Sequence, residues 1–138
     1  MMKEDCIFCK IANGVFPTNS IYEDEEINVI LDISPATKGH ALVLPKSHCD
    51  NALDADSELL GKAIKVAAKT GKAIKKALGC DGINIVQNNG DAAGQTVVHL
   101  HFHVIPRYTG DNLGINWIPG TDTDENFKKT AELLKDNF

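Results

Sequence analysis

The chain predicts an α+β fold: a five-stranded antiparallel sheet with one long helix and one C-terminal helix packed on it. Two observations carry this. Five short apolar runs are joined by connections mostly too short for parallel crossovers, which need a dozen or more residues. Between the third and fourth runs lies one long stretch with apolar residues at helical spacing. The 138 residues suffice for a single domain with its own core, and 43% hydrophobic with 24% charged residues is an ordinary globular balance.

The elements follow in order. Residues 1–5 form a loose end. Residues 6–12 make a short helix, closed by the breaker pair Asn13-Gly14. Residues 21–23 and 27–33 read as strands joined by the acidic turn Asp24-Glu25-Glu26, and Ser34-Pro35 ends that pair. Residues 40–45, started after Gly39, make the third strand. Residues 54–78 are the best helix. Leu60, Ile64, Ala67, Gly71, Ile74 and Leu78 form its apolar stripe, Asp54, Asp56 or Ser57 caps its start, and Gly79 suits its end. Its polar side carries Lys62, Lys65, Lys69, Lys72, Lys75 and Lys76, read as a solvated face. Residues 82–86 make the fourth strand, and 97–106 the fifth. Residues 109–120 are glycine-rich and irregular. Residues 124–135 form the last helix, with Phe127, Ala131 and Leu134 at core spacing.

Charge and composition exclude several functions. A net charge of -5 argues against a broad nucleic-acid surface. No apolar run is long enough for a membrane span, and the start has no leader pattern, so a cytoplasmic protein is expected. Its four cysteines, Cys6, Cys9, Cys49 and Cys80, are then expected reduced rather than paired.

The chemistry is concentrated in Val97-Val98-His99-Leu100-His101-Phe102-His103-Val104-Ile105-Pro106. Strand geometry sends successive side chains to opposite faces, so this alternation puts three imidazoles on one face and Val98, Leu100, Phe102 and Val104 on the other. Pro106 marks a strand end or edge. Three of the five histidines are spent here. As a core device that is costly, because each buried ring nitrogen needs a partner. A polar strand face that is merely histidine-rich is therefore the weaker reading. Phosphate chemistry and a metal held by imidazoles both remain open at this level. The preceding loop, Asn88 to Thr96, contains Gly90 and Gly94, whose backbone can approach and cradle a phosphate with N–H groups.

Gly94-Gln95-Thr96 followed by the alternating histidines resembles the signature of the histidine triad superfamily of nucleotide hydrolases and transferases. Cys6-Ile7-Phe8-Cys9-Lys10-Ile11, Asp32-Ile33-Ser34-Pro35, Lys38-Gly39-His40 and Leu44-Pro45-Lys46-Ser47-His48 fall in the order of its Hint-like and bacterial Hit-type branch. The resemblance covers roughly residues 5–108, so residues 1–138 are expected to be one such domain with a C-terminal loop and helix. Relatives acting as hexose-1-phosphate uridylyltransferases usually carry glutamine in place of His103, so the third histidine favours a hydrolase.

The resemblance implies roles. His101 would attack the α-phosphorus of a purine nucleotide or nucleotidyl conjugate, giving a nucleotidyl-histidine that water cleaves, with no metal in the chemistry. Its other ring nitrogen needs a fixed acceptor such as a backbone carbonyl. His103 would stabilise the phosphate or its leaving group. Asn88 and Thr96, with the backbone at Gly94 and Gln95, would hold phosphate oxygens, Gln95 also supporting the loop. Asp32 would accept from ribose hydroxyls, although by its local sequence alone it reads as a turn or cap residue beside Ser34-Pro35. Ile7, Phe8, Ile11, Ile30 and Leu31 would wall the base, with Ile33 beside the nucleotide; by sequence alone these apolar residues read equally as ordinary core. His40 is the fourth histidine near the site. The Cys6-x-x-Cys9 pair reads by itself as a zinc half-site, a redox pair or two packed thiols. In bacterial relatives such a pair joins the counterparts of His48 and His99 in a structural zinc site, with Cys49 a possible substitute ligand. Cys80 reads as a packed thiol. Family members dimerise through the long helix and an edge strand into a continuous ten-stranded sheet, which would cover an exposed edge. In Hint-like dimers the tail of one subunit can approach the partner's site, a place that Trp117-Ile118-Pro119-Gly120 could take here; the alternative is that Trp117 simply packs at the dimer contact. Two hydrolase readings follow, for nucleoside phosphoramidates and for dinucleoside polyphosphates. From other classes come a cupin-like metal site, which lacks its usual carboxylate here, and a nucleotide-binding interaction protein with little catalysis.

Overall fold

A computed structural model describes residues 1–138. Helix α1 (Ile7–Ala12) is followed by strands β1 (Ser20–Glu23), β2 (Ile27–Leu31) and β3 (Ala41–Pro45). Then come the long helix α2 (Ser57–Leu78), β4 (Gly82–Val86), β5 (Phe102–Arg107) and helix α3 (Asp124–Lys135). The five strands form one antiparallel sheet in the order β1-β2-β3-β5-β4. The α+β expectation therefore holds.

Each element has a local cause. The Cys6 sulfur caps α1 by accepting from the Cys9 N–H, and Asn13 closes it. The Asp56 carboxylate caps α2 at Glu58 and Leu59, and Gly79 ends it at φ 64°, a left-handed conformation that favours glycine. Strand β3 reads as an unbroken apolar run, and β2 as one interrupted only by the buried Asn28, because both sheet faces are covered. Ile27, Val29, Ala41 and Val43 meet α2 together with Leu100, Phe102 and Val104. Ile30, Leu42 and Leu44 meet α1 through Ala12, Phe8 and Ile11. His103 sits opposite Leu42 in the β3–β5 ladder, so it projects to the α1 side of the sheet.

Three expectations need correction. The histidine segment is not one strand: β5 begins at Phe102, and residues 97–101 lie outside the ladder. There the His99 N–H bonds to Val97 O and the Leu100 N–H to Cys49 O, contacts that replace sheet pairing. Val98 consequently stands 58% exposed instead of joining Leu100, Phe102 and Val104 in the core. In α2 the buried face is Ala63, Val66, Ala67, Thr70, Gly71 and Ile74, whereas Ile64 points outward. Small residues win that face because the helix lies close on the sheet: a Cβ on Gly71 would stand 3.4 Å from Ile83. In α3, Phe127 and Leu134 are more than half exposed and no residue is buried, so its apolar spacing serves no core within this chain. No helix is long and apolar enough to cross a membrane.

Candidate active site and thiol–imidazole centre

The α1 side of the sheet carries a cleft of about 500 Å³, within the size range of small-molecule sites. One wall is apolar, built from Ile7, Phe8, Ile11, Ile30 and Leu42. The floor holds His101 and His103, and the rim holds Asp32, Ile33 and Thr96. Phe8 places its edge on His101, with ring centroids 5.0 Å apart. The cleft thus pairs an apolar shelf with a polar, imidazole-lined end.

The imidazole protons follow from the hydrogen bonds. His101 Nδ1 lies 2.7 Å from the His99 carbonyl, which can only accept, so Nδ1 carries the proton and Nε2 is a free lone pair. The Ala36 N–H donates to His40 Nδ1 at 2.9 Å, so the His40 proton sits on Nε2. His40 Nε2 lies 2.9 Å from His103 Nδ1 and donates to it. His103 must then carry its own proton on Nε2. The two adjacent rings, with centroids 5.0 Å apart, therefore hold opposite tautomers. Burial lowers the affinity of His101 and His40 for a second proton, partly opposed by the carboxylate of Asp32. Burial, reinforced by His101 and His40, pushes His103 down to about 4. All three rings are neutral at pH 7. A bare imidazole nitrogen beside an imidazole N–H is a nucleophile beside a hydrogen-bond donor.

Asp32 lies at the rim, its Oδ1 accepting from the Ser34 N–H at 2.8 Å and its Oδ2 3.6 Å from His40 Nε2. Asn88, Gly94 and Gln95 stand outside the cleft wall. Gln95 is buried. It accepts from the Gly90 N–H and donates to the carbonyls of Asp50 and Val97, which makes it the brace of the glycine loop. Asn88 Nδ2 reaches Gly94 O only at 3.5 Å. Gly94 adopts φ 91°, a conformation that requires glycine for the turn into Gln95.

A second centre lies behind this one. The ligand atoms of Cys6, Cys9, His48 and His99 all fall within 4.8 Å of one another. His99 Nδ1 is 3.4 Å from both sulfurs, and His48 Nδ1 is 3.4 Å from Cys9 Sγ. For Zn–S near 2.3 Å and Zn–N near 2.05 Å, tetrahedral geometry puts sulfur and nitrogen about 3.5 Å apart. The donor set, its spacing and its tautomers all fit a metal. His99 Nε2 donates to Pro45 O at 2.9 Å and His48 Nε2 to the Asp50 carboxylate at 3.0 Å, leaving both Nδ1 atoms free as ligands. Cys49 lies outside this set, and burial raises its thiol to about 11. Cys80 packs in the core.

The structure brings His40, His101, His103 and Asp32 together at the cleft and His48 and His99 together at the two sulfurs, through anchors that sequence reasoning misses. The Pro45 and Cys49 carbonyls and the Ala36 N–H are backbone groups with no side-chain signature. Asp50, two residues after His48, was the one anchor with a readable signal.

The HIT domain model matches residues 13–110. This chain belongs to the HIT family. It is 48% identical over 126 residues to an uncharacterised HIT-like protein of Methanocaldococcus jannaschii, covering 90% of this chain and 97% of that one. It is 39% identical over 132 residues to the adenosine 5′-monophosphoramidase of Saccharomyces cerevisiae, covering 95% and 79%. A HIT family crystal structure from Bacillus anthracis superposes at TM-score 0.90 with 38% identity, covering 98% of each chain. A zinc-bound histidine triad protein of Mycobacterium smegmatis superposes at 0.76 with 40% identity, covering 96% of each.

Proposed function

We propose that this HIT protein is a nucleotide hydrolase that cleaves nucleoside phosphoramidates, or related nucleotidyl conjugates, at the α-phosphorus through a nucleotidyl-histidine on His101. The observation that carries this reading is the pair of opposed tautomers on the cleft floor. His101 presents an unprotonated Nε2, and His103 beside it presents an N–H. The yeast relative's named activity supports the substrate class.

His101 Nε2 attacks phosphorus as the bond from phosphorus to the leaving nitrogen breaks; that nitrogen takes its proton from solvent, and the N–H of neutral His103 stabilises its departure by a hydrogen bond. Water then attacks the same phosphorus, the phosphorus–Nε2 bond breaks, and the proton the water loses returns to solvent. Splitting the hydrolysis into two displacements lowers each barrier. Thr96 and Asn88, with the loop backbone at Gly94 and Gln95, hold phosphate oxygens. Asp32 accepts from the ribose hydroxyls, and Phe8, Ile11 and Ile33 flank the purine. His40 acts through His103.

Zinc is the metal suited to Cys6, Cys9, His48 and His99. Bound there it stabilises the fold by tying α1 to the segment before β5, and it takes no part in the displacement. A homodimer joined through α2 and an edge strand would cover one of the two unpaired edges, β1 or β4. The single domain and four free thiols suit the cytoplasm.

Adenosine 5′-phosphoramidate and diadenosine tetraphosphate, each offered to wild type and His101→Ala, test the reading. Turnover of the phosphoramidate, its loss in the variant and an adenylyl group on the His101 peptide after acid-free quenching are expected. Faster cleavage of diadenosine tetraphosphate would move the assignment to dinucleoside polyphosphates. Undiminished turnover by His101→Ala would overturn it.

A further inference from the structure

The 99–100 peptide unit joins the two centres. Its carbonyl, from His99, accepts the Nδ1–H of His101 at 2.7 Å and so decides which nitrogen of that ring faces the cleft. The sheet does not hold this peptide, because β5 begins at Phe102. Two other contacts do. The peptide's own N–H, on Leu100, donates to Cys49 O at 2.8 Å. The His99 side chain, fully buried, is gripped at both nitrogens: Nε2 by Pro45 O at 2.9 Å, Nδ1 by the sulfurs of Cys6 and Cys9 at 3.4 Å. Cys49 follows His48, so apart from Pro45 O every tether of the peptide runs to a residue of the thiol–imidazole centre or to its immediate neighbour.

We infer that His99 is a positioning residue whose ligation at the Cys6–Cys9–His48 centre fixes the 99–100 peptide plane, and thereby the tautomer and aim of His101. This rests on His101 being the nucleophile. With the centre occupied, His99 cannot rotate about its side-chain bonds, and its carbonyl stays on His101 Nδ1. With the centre empty, the sulfurs and Nδ1 are linked by weak contacts alone, the peptide can tilt, and His101 loses the acceptor that keeps Nε2 bare. Metal occupancy then sets catalytic competence, beyond any effect on stability. The substrate-binding wall of Phe8, Ile11 and Ile33 does not include this peptide, so the effect falls on kcat more than on KM.

The test compares wild type, His48→Ala and His48→Cys, the last restoring a four-ligand Cys₃His set. A third variant, Cys6→Ser, keeps a side-chain oxygen as the α1 cap and weakens the metal site, so one folded sample can be taken from empty to loaded by adding zinc. Two readouts are needed at one fixed pH. One is turnover of adenosine 5′-phosphoramidate. The other is the ¹⁵N spectrum of the His101 ring, which reports its tautomer without substrate. Zinc-free His48→Ala is expected to lose about ten- to a hundred-fold in kcat, as loss of ligand-orienting groups commonly does, with KM changed much less. Its His101 ring shows mixed tautomers, and His48→Cys recovers both readouts. In Cys6→Ser, added zinc should raise kcat and the Nδ1–H tautomer together. A zinc-free, folded protein that keeps the Nδ1–H tautomer overturns the inference. So does activity that merely follows the folded fraction seen by circular dichroism. If wild type turns over no phosphoramidate, the hydrolase reading fails while the ring spectrum still decides this one.

Discussion

The opposed tautomers make a quantitative prediction about leaving groups. His103 can donate a hydrogen bond to a departing nitrogen only while its proton sits on Nε2, and that placement comes from the His40 N–H at 2.9 Å. His103→Ala removes the donor itself, which is worth about 10²–10³-fold for a preorganised donor at developing charge. His40→Phe removes only the hydrogen bond that selects the tautomer. A buried neutral hydrogen bond contributes about 0.5–1.5 kcal/mol net. At 1.36 kcal/mol per decade that is about two- to thirteen-fold in rate. Both losses must depend on the leaving group. A departing alkylamine nitrogen is strongly basic and gains most from the N–H, whereas fluoride is a weak base and gains least. Steady-state kcat/KM for a series of adenosine 5′-phosphoryl substrates, from alkylamine through aniline to fluoride, should show losses that shrink along the series in both variants. Equal losses across the series would refute the assignment of His103 as the donor to the leaving group and of His40 as the residue that sets its proton. A His40→Phe loss as large as that of His103→Ala would instead place His40 in contact with substrate.

Four further outcomes follow from the structure. Burial lowers His40, His101 and His103, so the native state binds fewer protons than the unfolded chain once pH falls below about 6.5, and stability is lost as pH drops from there toward 4. Urea midpoints at pH 7 and pH 5 should show that fall, and His103→Asn should flatten it; an unchanged slope would mean the ring is not held neutral. Gly39 has φ +94°, and a Cβ there would overlap Leu78, so Gly39→Ala should lower stability by about 2 kcal/mol and Tm by about 5–10 °C in calorimetry. Leu44 is fully buried between β2 and α1, and Leu44→Ala should cost about 2–5 kcal/mol by urea denaturation. Leu53, 83% exposed, should change stability by less than about 0.5 kcal/mol when cut to alanine.

The fold was legible wherever one local signal sufficed. Gly79 ends α2 because a left-handed residue is needed there, and residues 82–86 form a strand with the bounds that the sequence suggests. Legibility failed where tertiary contacts decide. The alternation from Val97 to Pro106 reads as one strand, yet Leu100 N–H goes to Cys49 O and the His99 ring turns to two sulfurs some 90 residues earlier. No periodicity encodes a long-range partner. The α2 stripe was misplaced at Ile64 because periodicity counts bulk, while close packing against Ile83 and Val104 selects Gly71 and its small neighbours. The apolar spacing of α3 is real, but no residue of that helix is buried in this chain.

The five histidines perform different tasks through one rule. A neutral imidazole has one donor and one acceptor, so binding either nitrogen to the backbone or a carboxylate assigns the other. Pro45 O and Asp50 take the Nε2 protons of His99 and His48 and leave Nδ1 to the sulfurs. The His99 carbonyl takes the Nδ1 proton of His101 and leaves Nε2 to the cleft. The Ala36 N–H occupies Nδ1 of His40, which sends the proton of His103 outward. A charged ring would donate at both nitrogens and erase these distinctions, which is why burial that keeps the rings neutral is a functional requirement as much as a packing result. Histidines of the same pKa in open water would interconvert freely between tautomers. Here each tautomer is tied to a backbone group, a carboxylate or, for His103, the N–H of His40, and the 99–100 peptide carries the carbonyl that holds the tautomer of His101.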